Sequence, residues 1–116
     1  MVKVERIYAS KEADGTFRVL VHRLWPRGLK RETLHLDAWM KDVAPSTELR
    51  RWYDHDAERW EEFRARYFSE LDARPEAWQP LLEAARRGDV TLLYAARTEQ
   101  FNHALALREY LEARLG

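Results

Sequence analysis

A nearly unbroken apolar run, Val90-Thr91-Leu92-Leu93-Tyr94-Ala95-Ala96, constrains the fold of this chain more than any other segment. A strand with one face in water alternates apolar and polar residues, and this run does not alternate. Such a run is typical of a strand that is covered on both faces, as in the centre of a parallel sheet. Helical patterns precede and follow the run, so the sequence predicts an α/β protein.

Two further strands are predicted near the N-terminus. The first covers residues 2–8, where apolar and polar side chains alternate, and the second covers residues 17–24. The turn between them is centred on Asp14-Gly15, a common turn dipeptide. This turn fits a hairpin and also fits two strands that lie apart.

The helices are predicted from apolar residues that recur every three or four positions and from capping residues at the segment ends. Pro45 ends the first helix, Ser46 and Asp56 are expected N-caps, and Gly88 ends the fourth. The predicted helices are residues 34–43, 47–53, a helix carrying Trp60, Phe63, Tyr67 and Leu71, a helix from Pro75 or Pro80 to Gly88, and residues 101–115. Together these elements predict one compact Rossmann-like domain over residues 1–116, with a small, mainly parallel sheet flanked by helices.

Composition excludes several classes of protein. Hydrophobic residues make up 46% and charged residues 34% of the 116 positions, which is typical of a soluble globular protein. The formal net charge is zero, so no global positive field draws the chain to nucleic acid or to an anionic membrane. The absence of cysteine excludes disulfides, thiolate metal sites and cysteine nucleophiles. With a polar N-terminus and no long apolar run, the expected location is the cytoplasm, without membrane contact.

A basic and aromatic cluster, His22-Arg23-Leu24-Trp25-Pro26-Arg27-Gly28, follows the second predicted strand. Guanidinium groups bind carboxylate and phosphate through paired hydrogen bonds, so Arg23 and Arg27 indicate an anion site, with Trp25 available to stack on a ring. The alternative is that the two arginines pair with nearby acids, Asp37 or Asp42, while Trp25 fills the core.

A second candidate element follows the apolar run. Ligands of open α/β sheets bind beyond the carboxyl ends of the strands, and there Tyr94 is followed by Arg97 at the start of a helix. Free N–H groups at a helix N-terminus favour an anion. In the alternative interpretation, Thr98 is an N-cap and Arg97 a surface residue.

Metal, cofactor and nucleophile motifs are not found. The four histidines lack the spacing of a helical metal site, and no P-loop or GxGxxG segment occurs, so neither a metal nor a cofactor is predicted. His22 lies within the basic cluster, where nearby arginines disfavour its protonated form. A neutral imidazole could serve as a base or a hydrogen-bond acceptor, or it could be a packed side chain.

Four sequence blocks resemble a known family. They are Arg18-Val-Leu-Val-His-Arg-Leu-Trp-Pro-Arg-Gly-Leu29, Ala44-Pro-Ser-Thr-Glu-Leu-Arg50, His55-Asp56 with Glu58-Arg59-Trp60, and Thr91-Leu-Leu-Tyr-Ala-Ala-Arg97. On these blocks the chain resembles the domain-of-unknown-function family 488, in its short, YeaO-like bacterial branch. The resemblance implies a compact, Rossmann-like α/β domain and supplies no established reaction.

The chain also departs from the pattern of that family. The family usually has an aspartate where this chain has His22, and it tends to an acid followed by His-Asn-Asn where this chain has Thr98 and Phe101-Asn102-His103. If the family uses a carboxylate at the strand end, this member lacks it. His22 then either replaces it as a general base, or the protein binds without catalysing.

Three functions compete at this point. The first is binding, or enzymatic conversion, of a small anion such as a nucleotide or another phosphorylated metabolite. Its residues would be His22 as proton carrier and, as ligand-binding residues, Arg23, Trp25, Arg27, Tyr94, Arg97 and Asn102. The second is a nucleic-acid-binding module that adds Arg31, Arg50 and Arg51 to these arginines. The third is a structural or interaction domain in which the arginines form salt bridges.

Overall fold

A computed structural model describes residues 1–115 and shows an α/β fold built on a four-stranded sheet. The strands are β1 (Val2–Arg6), β2 (Phe17–Leu20), β3 (Ala38–Trp39) and β4 (Val90–Tyr94). The helices are α1 (Thr47–Tyr53), α2 (Trp60–Asp72), α3 (Pro75–Arg87) and α4 (His103–Leu115), with short 3-10 turns at Arg31–Thr33, Lys41–Val43 and Ala57–Arg59. No helix within residues 1–115 is long and apolar enough to cross a membrane.

The sheet is parallel throughout, in the order β1-β4-β2-β3. All five residues of β4 are buried, as the apolar run predicts. Leu92 of β4 pairs with Val4 of β1 on one side and with Val19 of β2 on the other. The two N-terminal strands therefore do not form a hairpin, because β4 lies between them.

The predicted helix over residues 34–43 is wrong. The N–H of Asp37 donates to the carbonyl oxygen of Arg18 at 2.9 Å, and the N–H of Met40 donates to that of Leu20 at 3.0 Å. These bonds place β3 beside β2 and extend the sheet by a fourth strand, and the 3-10 turn Lys41–Val43 follows. Two residues of strand are too short to show a period, so the chance spacing of apolar residues here was misleading.

The end of the second strand was also placed too late. It was predicted to reach Leu24, but β2 ends at Leu20. The N–H of Val21 still donates to the carbonyl oxygen of Leu93, at 3.3 Å. His22 then begins the irregular segment that leads away from the sheet.

The start of α1 is fixed by Ser46, as predicted. Its hydroxyl oxygen accepts the N–H of Leu49 at 3.1 Å, which satisfies one of the free donors of the first turn. The carboxylate of Glu70, on α2, accepts both the N–H and the hydroxyl of Ser46, at 2.9 and 2.5 Å. One cap therefore joins two helices. Asp56 caps the following 3-10 turn through the N–H of Glu58 at 3.0 Å.

A buried arginine, Arg18, ties the start of β2 to two loops. Its side chain is fully buried. Its Nε donates to the carbonyl oxygen of His35 at 2.9 Å, and its Nη1 donates to the hydroxyl of Ser10 at 3.0 Å and to the carboxylate of Asp14 at 3.4 Å. A buried charge is tolerated only with such partners, so Arg18 is a scaffold residue.

Candidate functional site

A cleft of about 520 Å³ lies at the carboxyl ends of β2 and β4, where they face the start of α4 and the end of α1. This is the end of a parallel sheet at which α/β proteins bind their ligands. The residues lining it are His22, Arg27, Arg50, Arg51, Tyr53, Asp54, His55, Phe63, Ala95, Ala96, Phe101, Asn102 and His103.

His22 is held in the floor of the cleft by the ends of two strands. Its Nε2 accepts the N–H of Ala95 at 3.0 Å, and its carbonyl oxygen accepts the indole N–H of Trp39 at 2.6 Å. An Nε2 that accepts a hydrogen bond carries no proton, so the neutral ring carries its proton on Nδ1. The tautomer of His22 therefore follows from the backbone around it.

A second histidine, His103, opens α4 and meets His22 edge to face, with 4.6 Å between ring centroids. Only 7% of His103 is exposed. Its Nε2 lies 2.6 Å from the carbonyl oxygen of Val21, which can only accept, so Nε2 donates. The neutral ring of His103 therefore has its proton on Nε2 and an unprotonated Nδ1. This is the opposite tautomer to that of His22, whose proton is on Nδ1.

Burial keeps both rings neutral. It is the largest cause that lowers the pKa of His22 to about 3 and that of His103 to about 4. The positive charge of Arg50 lowers the pKa of both in addition. The sequence predicts a neutral His22 because of the arginines next to it. The structure confirms that the pKa of His22 is lowered. The largest cause, however, is burial, and the arginine that contributes is Arg50, which lies outside the basic cluster.

Three exposed arginines line the cleft, namely Arg27, Arg50 and Arg51. Within residues 1–115 none of the three forms an ion pair, whereas most other arginines of the chain do. The one acid among the lining residues is Asp54. The cleft therefore carries an excess of positive charge although the whole chain is neutral.

The turn after α1 is strained where it borders the cleft. Asp54 and His55 have φ values of 48° and 55°, in the left-handed region that residues with a side chain seldom occupy. The N–H of Asp54 donates to the carbonyl oxygen of Arg50 at 3.0 Å and closes the helix. Strain of this kind is often found at binding sites.

Three of the residues predicted from sequence line this cleft together: His22, Arg27 and Asn102. Asn102 is buried and caps α4, since its Oδ1 accepts the N–H of Leu105 at 3.1 Å. Its Nδ2 donates to the carbonyl oxygen of Thr98 at 3.0 Å. Both polar atoms of the Asn102 side chain thus hold the start of the helix in place.

Arg23 does not line the cleft. Its Nε donates to the carbonyl oxygen of Pro45 at 2.9 Å, and its Nη2 donates to that of Ala44 at 3.3 Å. The guanidinium therefore anchors the loop before α1. The acids considered as alternative partners interact elsewhere, since Asp37 lies 3.3 Å from the imidazole of His35 and Asp42 lies 3.9 Å from Arg74.

Trp25 also lies outside the cleft lining. Its indole N–H donates to the carbonyl oxygen of Leu29 at 2.7 Å, and its ring meets that of Trp39 edge to face, with 5.4 Å between centroids. It packs against a small apolar cluster that includes Leu34. Trp25 is thus placed as a packing residue of this side of the sheet.

Of the residues at the end of β4, Tyr94 and Arg97 do not line the cleft. Tyr94 is buried in the main core, and burial, followed by the charge of Glu99, raises its pKa. Arg97 is exposed. Thr98 caps the turn after it by accepting the N–H of Phe101 at 3.3 Å.

The cleft also contains residues that sequence reasoning did not assign to a small-ligand site: Arg50, Arg51, Phe101 and His103. The two arginines were considered only for nucleic-acid binding. No local signal marks them, because they reach the site through the packing of α1 against α2. Within the described part of the chain, no group of three or more histidines and acids is arranged to hold a metal ion.

Comparison with known proteins defines the class of this protein. The family model described as "Inactive DUF488-N3 subclade" matches residues 1–116. The chain belongs to the DUF488 family.

Similar proteins are found in several bacteria. The chain is 38% identical to "Uncharacterized protein YeaO" of Escherichia coli over 112 residues, which cover 97% of each chain. It is 41% identical over 113 residues to "Uncharacterized protein Rv3073c" of Mycobacterium tuberculosis and to "Uncharacterized protein Mb3100c" of Mycobacterium bovis, covering 97% of this chain and 95% of each relative. No solved structure gives a significant match.

Proposed function

We propose that the cleft binds a small anion that bears a phosphate or carboxylate group, and that the protein holds this anion without converting it. The observation that carries the proposal is the group of three arginines, Arg27, Arg50 and Arg51, which border one cleft and form no ion pair within residues 1–115.

Neighbouring like charges repel one another, and an anion relieves that repulsion. A guanidinium group can offer two parallel N–H donors to phosphate or carboxylate, which makes arginine well suited to such ligands. The volume of about 520 Å³ falls in the range of small-molecule sites, roughly 300 to 1,000 Å³. Phe63 and Tyr53 form an apolar wall, so a ligand with both an anionic and an apolar part matches the cleft.

The state of His22 argues against its action as a general base. A neutral imidazole has one lone pair available to take a proton, and on His22 that pair accepts the N–H of Ala95. To act as a general base, His22 would first have to break this bond. Its role as a proton carrier stays a prediction, and we favour a positioning role that holds the ends of β2 and β4 together. The description of the family model as inactive supports the same view.

The proposal is tested by calorimetric titration with inorganic phosphate and pyrophosphate. We expect binding to weaken by about tenfold in Arg50→Gln and in Arg51→Gln, because each loses a charge-assisted hydrogen bond of roughly 1.5 kcal/mol. The matched control is Arg86→Gln, since Arg86 is also exposed but pairs with Glu83 at 2.9 Å on α3. The proposal is contradicted if neither phosphate nor pyrophosphate binds. It is also contradicted if Arg86→Gln weakens binding as much as Arg50→Gln and Arg51→Gln do.

The same titration separates a small-anion site from a nucleic-acid surface. Contacts to many phosphates release many counterions and give a steep dependence of affinity on salt, whereas one small anion gives a shallow one. We expect a shallow slope with pyrophosphate and no tighter binding of short single-stranded DNA or RNA. A steep slope with an oligonucleotide that binds more tightly than pyrophosphate would favour the nucleic-acid alternative.

A further inference from the structure

We propose that the ligand of the cleft is a nucleoside phosphate and that His22 and His103 bind the hydrogen-bonding edge of its base. This inference rests on the proposed function, because the arginines at the rim would take the phosphate. It adds a second recognition element at the floor of the same cleft.

The first step is the fixed state of the two rings. Nε2 of His22 accepts a backbone N–H, which leaves the proton on Nδ1, and Nε2 of His103 donates to a backbone carbonyl, which leaves a lone pair on Nδ1. The pair therefore presents one donor and one acceptor. Since burial lowers the pKa of both rings well below neutrality, this arrangement holds at physiological pH.

The second step is that both Nδ1 atoms are open to the cleft. Within residues 1–115 neither has a hydrogen-bond partner, and no fully buried side-chain nitrogen or oxygen lacks one. The two Nδ1 atoms are therefore reached by solvent. Both histidines line the cleft, so solvent reaches them from there. The two ring centroids lie 4.6 Å apart, so both side chains are within reach of one ligand.

The third step is the match to a ligand class. Each of the four common bases carries a donor next to an acceptor on its Watson–Crick edge, either a ring N–H beside a carbonyl or an amino group beside a ring nitrogen. A sugar phosphate has no such flat edge. Ala95 and Ala96 lack bulk and allow close approach, and the half-buried ring of Phe101 is available for stacking. The cleft thus offers base-binding groups at its floor and phosphate-binding groups at its rim.

The experiment compares ligands that differ only in the base. Dissociation constants are measured by calorimetry for AMP, GMP, CMP and UMP, for ribose 5-phosphate as the matched ligand without a base, and for pyrophosphate. The nucleotide that binds most tightly is then compared with the analogue methylated on its base edge, such as N3-methyl-UMP or N1-methyl-GMP. His103→Phe keeps an aromatic ring but removes the acceptor, and its folding is checked by circular dichroism.

We expect at least one nucleotide to bind about tenfold to a hundredfold more tightly than ribose 5-phosphate, the effect of two added hydrogen bonds. Methylation of the base edge should remove that preference. His103→Phe should remove it as well, so that the nucleotide and ribose 5-phosphate bind this variant equally tightly. Should His103→Phe fail to fold, the methylated ligands give the same test on the unaltered protein.

The outcomes distinguish the two proposals. If ribose 5-phosphate binds as tightly as every nucleotide, or if methylation leaves the preference intact, base recognition by the two histidines is overturned while anion binding stands. If pyrophosphate, ribose 5-phosphate and all nucleotides fail to bind, both proposals are overturned.

Discussion

Acidification should destabilise this protein well above the pH at which its carboxylates titrate, because of the buried His103 and the half-buried His22. Their pKa values are lowered from 6.5 to about 3 for His22 and to about 4 for His103. Between these values and 6.5 the unfolded chain binds protons that the folded chain does not, so the free energy of unfolding falls as pH falls. The contribution of these two histidines to the free energy of unfolding is complete above pH 6.5 and is lost progressively below it.

The size of the effect follows from the same values. One pKa unit corresponds to about 1.4 kcal/mol, and pH 5 lies about 1.5 units below the pKa of histidine in the unfolded chain. Each ring should therefore lower the free energy of unfolding by roughly 2 kcal/mol at pH 5, and the pair should lower it by roughly 4 kcal/mol. Carboxyl groups with lowered pKa values, such as Asp14 at about 2, act in a lower range, since their contribution is lost only below their ordinary pKa of 3.8.

Urea unfolding followed by tryptophan fluorescence measures this prediction at about pH 7 and about pH 5. His103→Gln removes one titrating ring and retains an N–H donor for the carbonyl of Val21, so the loss between the two pH values should shrink to about half. A free energy of unfolding that changes by less than about 1 kcal/mol between pH 7 and pH 5 would refute the reasoning. An unchanged pH dependence in His103→Gln would refute the assignment to His103.

Two further predictions concern stability. Arg18→Met should cost about 3–5 kcal/mol, since it removes several charge-assisted hydrogen bonds of a fully buried guanidinium, each worth roughly 1.5 kcal/mol or more. The exposed Arg86→Met should cost less than about 1 kcal/mol. Urea unfolding compares the two variants, and equal losses would contradict a scaffold role for Arg18. Ser46→Ala should cost about 1–2 kcal/mol, because it removes the cap of α1 and one hydrogen bond to Glu70. Thermal unfolding measures this loss. A melting temperature equal to that of the unaltered protein would show that the cap contributes nothing.

The fold could be predicted largely from the sequence, because its main elements carry strong local patterns. The apolar run 90–96 gave the central strand, the spacing of Phe63, Tyr67 and Leu71 gave α2, and Ser46 gave the start of α1. The strand β3 could not be predicted, since two residues show no period and its position depends on hydrogen bonds to β2. The sheet order depends on long-range pairing, which the sequence does not reveal.

The candidate cleft lies at the end of the sheet where the sequence places a site, but only part of its lining was predicted. His22, Arg27 and Asn102 lie in the cleft, while Arg23 and Trp25 donate to backbone carbonyls beside it. An arginine that binds a ligand and an arginine that anchors a loop look the same in sequence. Only the packing of α1 against α2 and of α4 against the sheet distinguishes them.

The most direct test of anion binding is a titration of ¹⁵N-labelled protein with pyrophosphate, followed by ¹H–¹⁵N correlation spectra with assigned resonances. We predict saturable shifts concentrated at the floor and rim of the cleft, in the backbone amides of Ala95, Asn102 and His103 and in the side-chain Nε–H of Arg50. Shifts concentrated on the far side of the sheet, or no saturable shifts at all, would contradict the account.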